Sequence, residues 1–193
     1  DTDLELEITH NRPDCLNMVG IAREVSAILN KSLLIPKVRK RKKTLLKADF
    51  SILDREGCSR YIGILIENVS LGKTPEEIVK RLTAIGLRSV NNIVDITNFC
   101  LMETGQPMHA FDYDKLIGGK IIVRRARPGE KIVTLDGVER VLDPSILVIA
   151  DEKRPVAVAG IMGGKETEVT EKTKNILLES AYFDPILIRR GAR

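Results

Sequence analysis

Hydrophobic and acidic residues alternate at the start of the chain. Residues 4–8 are LELEI, and this period of two predicts a strand with one buried face. The sequence HNRPD, which follows shortly afterwards, predicts a turn. Asp14 is then expected to cap a helix that runs to about Asn30, because apolar residues recur there at helical spacing. Residues 31–47 follow as a predicted connector.

Two more helices are predicted in the first half of the chain. Thr74 and Glu77 form a capping box, in which both side chains satisfy backbone amides at the start of a helix, and Gly86 ends that helix. The next helix is expected over residues 91–103, with Gly105 as its stop. The residues of this helix that are expected to face inward are Ile93, Ile96 and Cys100.

Strands dominate the rest of the prediction. Residues 59–69 are rich in β-branched side chains, which is typical of a largely buried strand. After residue 117 the chain divides into short segments bounded by Gly, Pro or Asp, namely 120–126, 131–134, 138–142, 146–150, 155–161 and 174–180. Asp136 and Gly137 predict a hairpin turn. Residues 184–193 predict the start of a further helix.

This order of elements predicts an α+β fold, with helices packed on antiparallel or mixed β-sheets in layers. The helix-rich part covers about residues 1–116 and the strand-rich part about residues 117–193. With 193 residues, the chain is long enough for one large domain or two small interleaved ones, and we expect a single interleaved unit.

Composition restricts the possible functions. Aromatic residues are 4% of the chain and Trp is absent, which argues against an aromatic platform for single-stranded nucleic acid. Three cysteines lie far apart without a CxxC pair, which favours a reducing, cytoplasmic location and argues against zinc. The chain has no initiator Met, signal peptide or apolar run of membrane length. We therefore expect a fragment of a longer intracellular protein with no membrane partner.

Basic residues are concentrated in one short segment. Net charge is +4, and Lys37–Lys43 has six basic residues in seven. Such a run is either a solvated loop or a contact for the phosphate backbone of a nucleic acid, in which case binding would depend on salt.

Most common catalytic motifs are absent. The spacing of the two histidines, His10 and His109, does not suggest a metal site, and no serine or cysteine has the signature of a nucleophile. The glycine-rich segment 159–166, AGIMGGKE, resembles a phosphate loop but has Ala159 and Glu166 where Gly and Ser or Thr are required. It is either a turn between strands or a place where the backbone approaches a ligand closely.

Four other side chains are candidate site residues, but their local sequence does not decide between a functional and a structural role. His109 lies in GQPMHAFD, and taken alone it is more often a buried structural histidine. Glu179 lies in the apolar run ILLESA, so it points outward by alternation or sits in a pocket, where burial would raise its pKa and require a hydrogen-bond donor. Arg88 and Asn98 flank the start of a predicted helix and could be surface residues.

Several strings together resemble one family. NRPDCLNMVGIARE, LRSVNNIVDITN, GQPMHAFD, AGIMGG and LLESAYFDP occur in order across nearly the whole chain. In this order they resemble the B3/B4 region of the β subunits of bacterial phenylalanyl-tRNA synthetases. The basic run Lys37–Lys43 matches none of these strings.

The resemblance implies an editing domain, which hydrolyses tyrosine mischarged onto the phenylalanine tRNA. By motif match, Glu179 would recognise the tyrosine hydroxyl and His109 would position the attacking water or the terminal ribose. Gly160 and Gly163 would leave room for the substrate, and Arg88 and Asn98 would contact the terminal adenosine or the aminoacyl group. Small residues downstream of Arg193 are expected to complete the pocket in the family.

The resemblance also implies partners and cofactors. The expected partners are the acceptor end of tRNA(Phe) and the synthetase α subunit in an α2β2 assembly. The domain itself needs no cofactor or metal, whereas the whole ligase needs ATP and Mg²⁺. The alternative is a non-catalytic module that grips tRNA or supports the assembly, and such a module would need neither Glu179 nor His109.

Overall fold

The computed structural model describes residues 4–35 and 44–192, and these residues form the predicted α+β fold. Their α-helices are α1 (Met18–Leu29), α2 (Glu76–Ala84), α3 (Asn92–Thr104) and α4 (Pro185–Gly191). Their strands are β1 (Asp49–Ile52), β2 (Cys58–Ile66), β3 (His109–Asp112), β4 (Lys120–Arg125), β5 (Lys131–Val133), β6 (Glu139–Val141), β7 (Leu147–Ala150), β8 (Pro155–Val158), β9 (Met162–Gly163) and β10 (Ile176–Phe183).

The chain divides into two compact units, and each is built from two separate segments. Asp1–Lys43 and Gly72–Met108 form the helical unit, which contains α1 to α3. Thr44–Leu71 and His109–Arg193 form the strand unit, which contains all ten strands and α4. β1 and β2, from the first half of the chain, thus belong with the strands of the second half.

The cap of α1 differs from the prediction. Asn17, rather than Asp14, is the N-cap, and its side chain accepts a hydrogen bond from the Gly20 amide at 2.8 Å. Asp14 accepts instead from the Arg12 guanidinium at 2.8 Å. Both residue types can cap a helix, so the ion pair with Arg12 leaves the cap to Asn17. The helix ends at Asn30 as expected, in the left-handed conformation.

The predicted capping box of α2 is also wrong. Pro75 is the N-cap and makes no side-chain cap hydrogen bond. The Thr74 hydroxyl donates instead to the buried carboxylate of Asp95 in α3. A hydrogen bond from a hydroxyl to an ionised carboxylate is stronger than one between a hydroxyl and a backbone amide. This explains why Thr74 binds Asp95 and does not cap α2. Gly86, with a φ of 79°, follows the end of α2 as predicted.

α3 begins and ends close to the predicted residues. Asn91 accepts hydrogen bonds from two amides of the first turn, and Gly105 terminates the helix with a φ of 79°. Ile96, however, is 45% exposed, so its inward assignment was wrong. Ile93 is buried as predicted, and the other buried residues of α3 are Asp95 and Thr97. The Asp95 carboxylate accepts several hydrogen bonds from residues that precede the helix.

Residues 4–8 do not form the predicted strand. Leu4 and Leu6 are 81% and 55% exposed, and the segment has no regular secondary structure. A strand requires hydrogen bonds to a neighbouring strand, and residues 4–8 pair with no strand in the described part of the chain. The apolar side chains of this alternating segment, Leu4, Leu6 and Ile8, instead line an apolar groove of about 630 Å³ in the helical unit.

The strand unit contains three sheets. The largest has the order β1-β4-β7-β8-β9, in which only the β1–β4 pair is parallel. The second has the order β2-β10-β3 and is antiparallel throughout. β5 and β6 form the predicted hairpin, in which Gly137 has a φ of 80° at the turn. All six strand segments predicted after residue 117 are present, whereas β1, β3 and β9, with four residues or fewer, were missed.

One buried cluster joins the two larger sheets. The three-stranded sheet contributes Leu65, Phe111 and Leu177, and the five-stranded sheet contributes Ile121, Val123, Leu147, Ile149 and Val156. The inward face of β10 therefore points into the main core of the strand unit. No helix in the described part of the chain is long and apolar enough to cross a lipid bilayer. The basic run at Lys37–Lys43 lies outside the described residues.

Candidate functional site

Glu179 lies at the middle of the three-stranded sheet. Its strand, β10, is the central one, and Glu179 is paired directly with Gly63 of β2 and with His109 of β3. Directly opposed residues in antiparallel strands project from the same face, with Cβ atoms about 4.5–5.5 Å apart. Leu177, two residues earlier, is fully buried on that face. Of the two orientations open to Glu179 from the sequence, the inward one is therefore correct.

The Glu179 carboxylate is buried but has a hydrogen-bond donor. Only 6% of the residue is exposed. The Tyr61 hydroxyl donates to Glu179 Oε2 at 2.9 Å. Burial raises the pKa of Glu179 to about 7, although the hydrogen bond from Tyr61 acts in the opposite direction. The carboxyl group therefore changes its charge close to neutral pH.

His109 lies beside Glu179 as a neutral imidazole. Its ring meets the Phe111 ring edge-on, with centroids 4.5 Å apart. Burial lowers the pKa of His109 to about 4, so the ring is uncharged at pH 7. Among the described residues, none forms a hydrogen bond with the ring. A neutral imidazole offers one donor and one acceptor.

Gly163 of β9 permits close approach of the His109 ring. A Cβ atom at this glycine would lie 2.6 Å from both Cε1 and Nε2 of His109, which is far inside van der Waals contact. Any side chain at residue 163 would therefore displace the imidazole. Within AGIMGG, the backbone at Gly163 therefore approaches the His109 ring closely.

Gly160 has a different environment. It lies in the turn between β8 and β9 and has a φ of 66°, a conformation that favours glycine. A Cβ atom here would lie 3.1 Å from Ile188 of α4 and 3.1 Å from Phe183 of β10. The segment is therefore also a turn between strands, and Gly160 packs against α4 and β10 rather than against His109.

Arg88 and Asn98 belong to the helical unit, whereas the other four predicted site residues belong to the strand unit. Arg88 is exposed in the loop between α2 and α3, and Asn98 is half-buried on α3.

Sequence reasoning missed Asp95, which organises the loop that carries Arg88. Asp95 is fully buried, and its carboxylate accepts from the Ser89 hydroxyl at 2.5 Å and from the Val90 amide at 2.9 Å, as well as from Thr74. Burial acts to raise the pKa of Asp95, but these hydrogen bonds outweigh it and hold the pKa below its ordinary value. An acidic residue between Val94 and Ile96 in an apolar helix was the available signal.

Tyr61 was also missed, although it provides the donor to Glu179. It lies in the run SRYIGILIENV, which predicts a buried strand without any sign of chemistry. Its partner is 118 residues away in sequence, so the pair can be recognised only in three dimensions.

Only one group of three potential metal ligands occurs in the described parts of the chain, and it is already in use. Asp14, Cys15 and Glu24 lie close together. The Arg12 guanidinium donates to Asp14 at 2.8 Å and to Glu24 at 2.7 Å. The guanidinium neutralises the carboxylates that a cation would need.

A sequence profile of the B3/4 domain family matches residues 57–193, a range that includes every predicted site residue. The chain belongs to the B3/4 domain family. Its relatives include phenylalanine–tRNA ligase beta subunits of Moorella thermoacetica, 53% identical over 196 residues, and Carboxydothermus hydrogenoformans, 50% identical over 191 residues. The matches cover 100% and 98% of this chain and 24% of each relative. The chain therefore spans about a quarter of the length of these proteins.

A solved structure of a similar protein supports the fold of this B3/4 family member. It is the crystal structure of an N-terminal fragment of the phenylalanyl-tRNA synthetase beta subunit from Pyrococcus horikoshii. The TM-score is 0.54 at 16% sequence identity, and the match covers 92% of this chain and 54% of the other. At this identity the likeness concerns the fold alone.

Proposed function

We propose that this chain is the editing portion of a phenylalanyl-tRNA synthetase β subunit and hydrolyses tyrosyl-tRNA(Phe). One observation carries the proposal: the buried Glu179 carboxylate already accepts a hydrogen bond from a phenol, that of Tyr61, at 2.9 Å. The relatives that match this chain over 98–100% of its length are phenylalanine–tRNA ligase beta subunits. In such a ligase, a carboxylate that binds a phenol would be useful for recognising misacylated tyrosine.

The proposal includes the setting of the whole enzyme. The chain would act within a cytoplasmic α2β2 ligase, beside an α subunit that carries the aminoacylation site. ATP and Mg²⁺ would serve that other site, and the editing domain would need neither. Its substrate would be the acceptor end of tRNA(Phe) bearing the wrong amino acid.

The selectivity problem explains why a buried carboxylate is useful. An apolar pocket for phenylalanine cannot strongly reject an isostere that adds only a hydroxyl, so a second site must recognise the hydroxyl itself. A hydrogen bond to a charged acceptor contributes about 1.5–3 kcal/mol, and phenylalanine cannot form it. Glu179 would thus favour tyrosyl esters by about tenfold to a hundredfold.

The other residues would bind and orient the ester. His109, as a neutral imidazole, would hold the attacking water or a ribose hydroxyl, and Gly163 would keep its ring in place. Arg88 and Asn98 would contact the aminoacyl group or the terminal adenosine, and Gly160 would leave room for the substrate. Water would add to the acyl carbon, the bond between that carbon and the ribose oxygen would break, and the ribose oxygen would take a proton from the attacking water. Fixing water near the carbonyl accelerates this step without a covalent intermediate.

The test is deacylation of tyrosyl-tRNA(Phe) by the whole synthetase. Glu179→Ala should lower the rate at least tenfold by loss of the hydrogen bond to the phenol. His109→Ala should lower the rate by roughly a hundredfold if it positions the water. Aminoacylation with phenylalanine serves as the control, because it would occur in the α subunit and should be unchanged in both variants.

The result that contradicts the proposal is equally specific. If both variants deacylate tyrosyl-tRNA(Phe) as fast as the wild type, Glu179 and His109 are not part of an editing site. Loss of tRNA binding with normal deacylation of bound tRNA would instead favour the non-catalytic tRNA-binding or scaffold role.

A further inference from the structure

Tyr61 is held beside Glu179 by neighbours on two other strands. Its hydroxyl reaches Glu179 Oε2 on β10, and its ring lies 5.9 Å from the Phe50 ring on β1, measured between centroids. Phe50 in turn covers Gly63, the residue paired with Glu179 on β2, because a Cβ atom there would lie 2.2 Å from the Phe50 ring. The missing side chain at Gly63 therefore makes room for the aromatic pair that positions the phenol.

We infer that Tyr61 is a positioning residue that holds Glu179 as a charged acceptor, with Oε2 bound internally and Oε1 left for the hydroxyl of the substrate. The inference rests on the proposed function for the identity of that substrate. The internal hydrogen bond at Oε2 is observed directly. A carboxylate has about four lone-pair sites on its two oxygens, so binding one phenol does not prevent it from binding another.

The consequence of this hydrogen bond is electrostatic. A buried carboxylate without a donor would take up a proton, because burial disfavours the charged form. The Tyr61 hydroxyl opposes that effect and keeps the pKa of Glu179 from rising further than about 7. A charged acceptor forms hydrogen bonds roughly twice as strong as a neutral one. Tyr61 would thus preserve the strength with which Glu179 binds a tyrosine ester.

The other described groups that face Glu179 do not produce the same effect. On β3 the facing group is His109, which is neutral at pH 7. On β2 the facing groups are Tyr61 and Cys58, and burial raises the pKa of the Cys58 thiol, so it is also uncharged. Among the described residues, Tyr61 alone donates a hydrogen bond to the carboxylate.

The test uses Tyr61→Phe in the whole synthetase and measures deacylation of tyrosyl-tRNA(Phe) across a pH series. Loss of the hydroxyl removes the donor to the ionised form, so the acidic limb of the rate profile should move upward by about one pH unit or more. The rate should be reduced at pH 7 and should recover toward the wild-type value at higher pH. A variant with mere packing damage would stay slow at every pH.

Tyr113→Phe is the matched control. Tyr113 also packs against the main core of the strand unit, but its hydroxyl donates to the backbone carbonyl of Lys47 rather than to a carboxylate. This variant should leave the acidic limb where it is in the wild type. An equal displacement of the limb in Tyr113→Phe and Tyr61→Phe would overturn the inference.

A second readout does not depend on hydrolysis. The infrared band of the protonated Glu179 carboxyl, assigned by its loss in Glu179→Gln, should disappear at a higher pH in Tyr61→Phe than in the wild type. An unmoved band overturns the inference about Tyr61, whether or not the enzyme edits. If the band moves but Glu179→Ala deacylates normally, the proposed function fails while the Tyr61–Glu179 coupling stands.

Discussion

Glu179 and His109 are direct partners on neighbouring strands, and the acid has a higher pKa than the base. The pKa of Glu179 is raised to about 7 and that of His109 is lowered to about 4, in both cases chiefly by burial. Between these values both side chains are uncharged, so they do not form an ion pair. Above pH 7 an ionised carboxylate faces a neutral imidazole, which is the state that the proposed editing reaction would use.

The first prediction concerns the pH dependence of editing. If the ionised form of Glu179 binds the phenol, the rate should fall as the pH drops through about 7, because the carboxyl group then takes up its proton. Glu179→Gln should lower the rate and abolish this acidic limb. His109→Asn should lower the rate but retain the limb, because His109 stays neutral until about pH 4.

The measurement is deacylation of tyrosyl-tRNA(Phe) by wild type and both variants across the same pH series. A limb near pH 7 that persists in Glu179→Gln would assign that titration to another group. A limb that disappears in His109→Asn would assign it to the histidine and contradict the pKa order of the pair.

The second prediction concerns Gly163. Alanine at this position would place a Cβ atom 2.6 Å from His109 Cε1 and Nε2, so the imidazole must move. A misplacement of about 1 Å can cost on the order of a hundredfold in rate, and we expect Gly163→Ala to deacylate tyrosyl-tRNA(Phe) roughly that much more slowly. Binding of the tyrosine side chain should change less, because Glu179 is untouched.

Gly72→Ala is the control for this substitution. A Cβ atom at Gly72 would meet nothing within 4 Å, and its φ lies outside the left-handed region. Its deacylation rate should equal that of the wild type. Normal activity in Gly163→Ala would show that the position of the His109 ring does not limit the reaction.

Much of the fold was predictable because it depends on local signals. Gly105 stops α3, Gly137 turns the β5–β6 hairpin, and alternation or β-branching marks most of the longer strands. Asp14 was predicted as the cap of α1, but its carboxylate pairs with Arg12 and the cap is Asn17. The four-residue strand β1 was missed because its support comes from a parallel pairing with distant β4.

The candidate site was less predictable for the same reason. Glu179 has leucines immediately before it in sequence, so alternation alone could not assign its direction. The direction follows from the packing of β10 against the five-stranded sheet, where Leu177, on the same face as Glu179, is fully buried. The donor that makes burial tolerable, Tyr61, lies 118 residues away. Motif resemblance suggested Glu179 and His109 as site residues, but the hydrogen bond between Tyr61 and Glu179 required the structure.

The third prediction concerns Asp95 and the loop that carries Arg88. Asp95→Asn retains the shape but removes the charge and one acceptor oxygen, so the hydrogen bonds from Ser89 and Val90 should weaken. Loss of about 1.4 kcal/mol corresponds to a tenfold change in opening equilibrium. We therefore expect amide hydrogen exchange in the loop to accelerate by about tenfold or more.

Exchange should be followed by mass spectrometry on a peptide that contains Val90. Glu77→Gln provides a control in the same unit, because Glu77 is exposed and forms only a surface pair with Arg81. It should leave exchange at Val90 unchanged. Unchanged exchange in Asp95→Asn would mean that the buried carboxylate does not hold the loop.

The fourth prediction concerns the basic run Lys37–Lys43 and rests on sequence alone. If these side chains bind tRNA phosphates, binding releases counterions, and its logarithmic dependence on salt has a slope proportional to the number of phosphates neutralised. Neutralising the four residues from Lys40 to Lys43 with glutamine should weaken tRNA binding by the whole synthetase and flatten that slope, by at most about one for each phosphate that is no longer neutralised. Neutralising an equal number of exposed basic residues elsewhere, Lys73, Lys80, Lys172 and Lys174, is the charge-matched control.

If both quadruple variants bind tRNA with the same affinity and salt slope as the wild type, the run is a solvated loop. If both weaken binding equally, the effect arises from net charge rather than from phosphate binding by this segment.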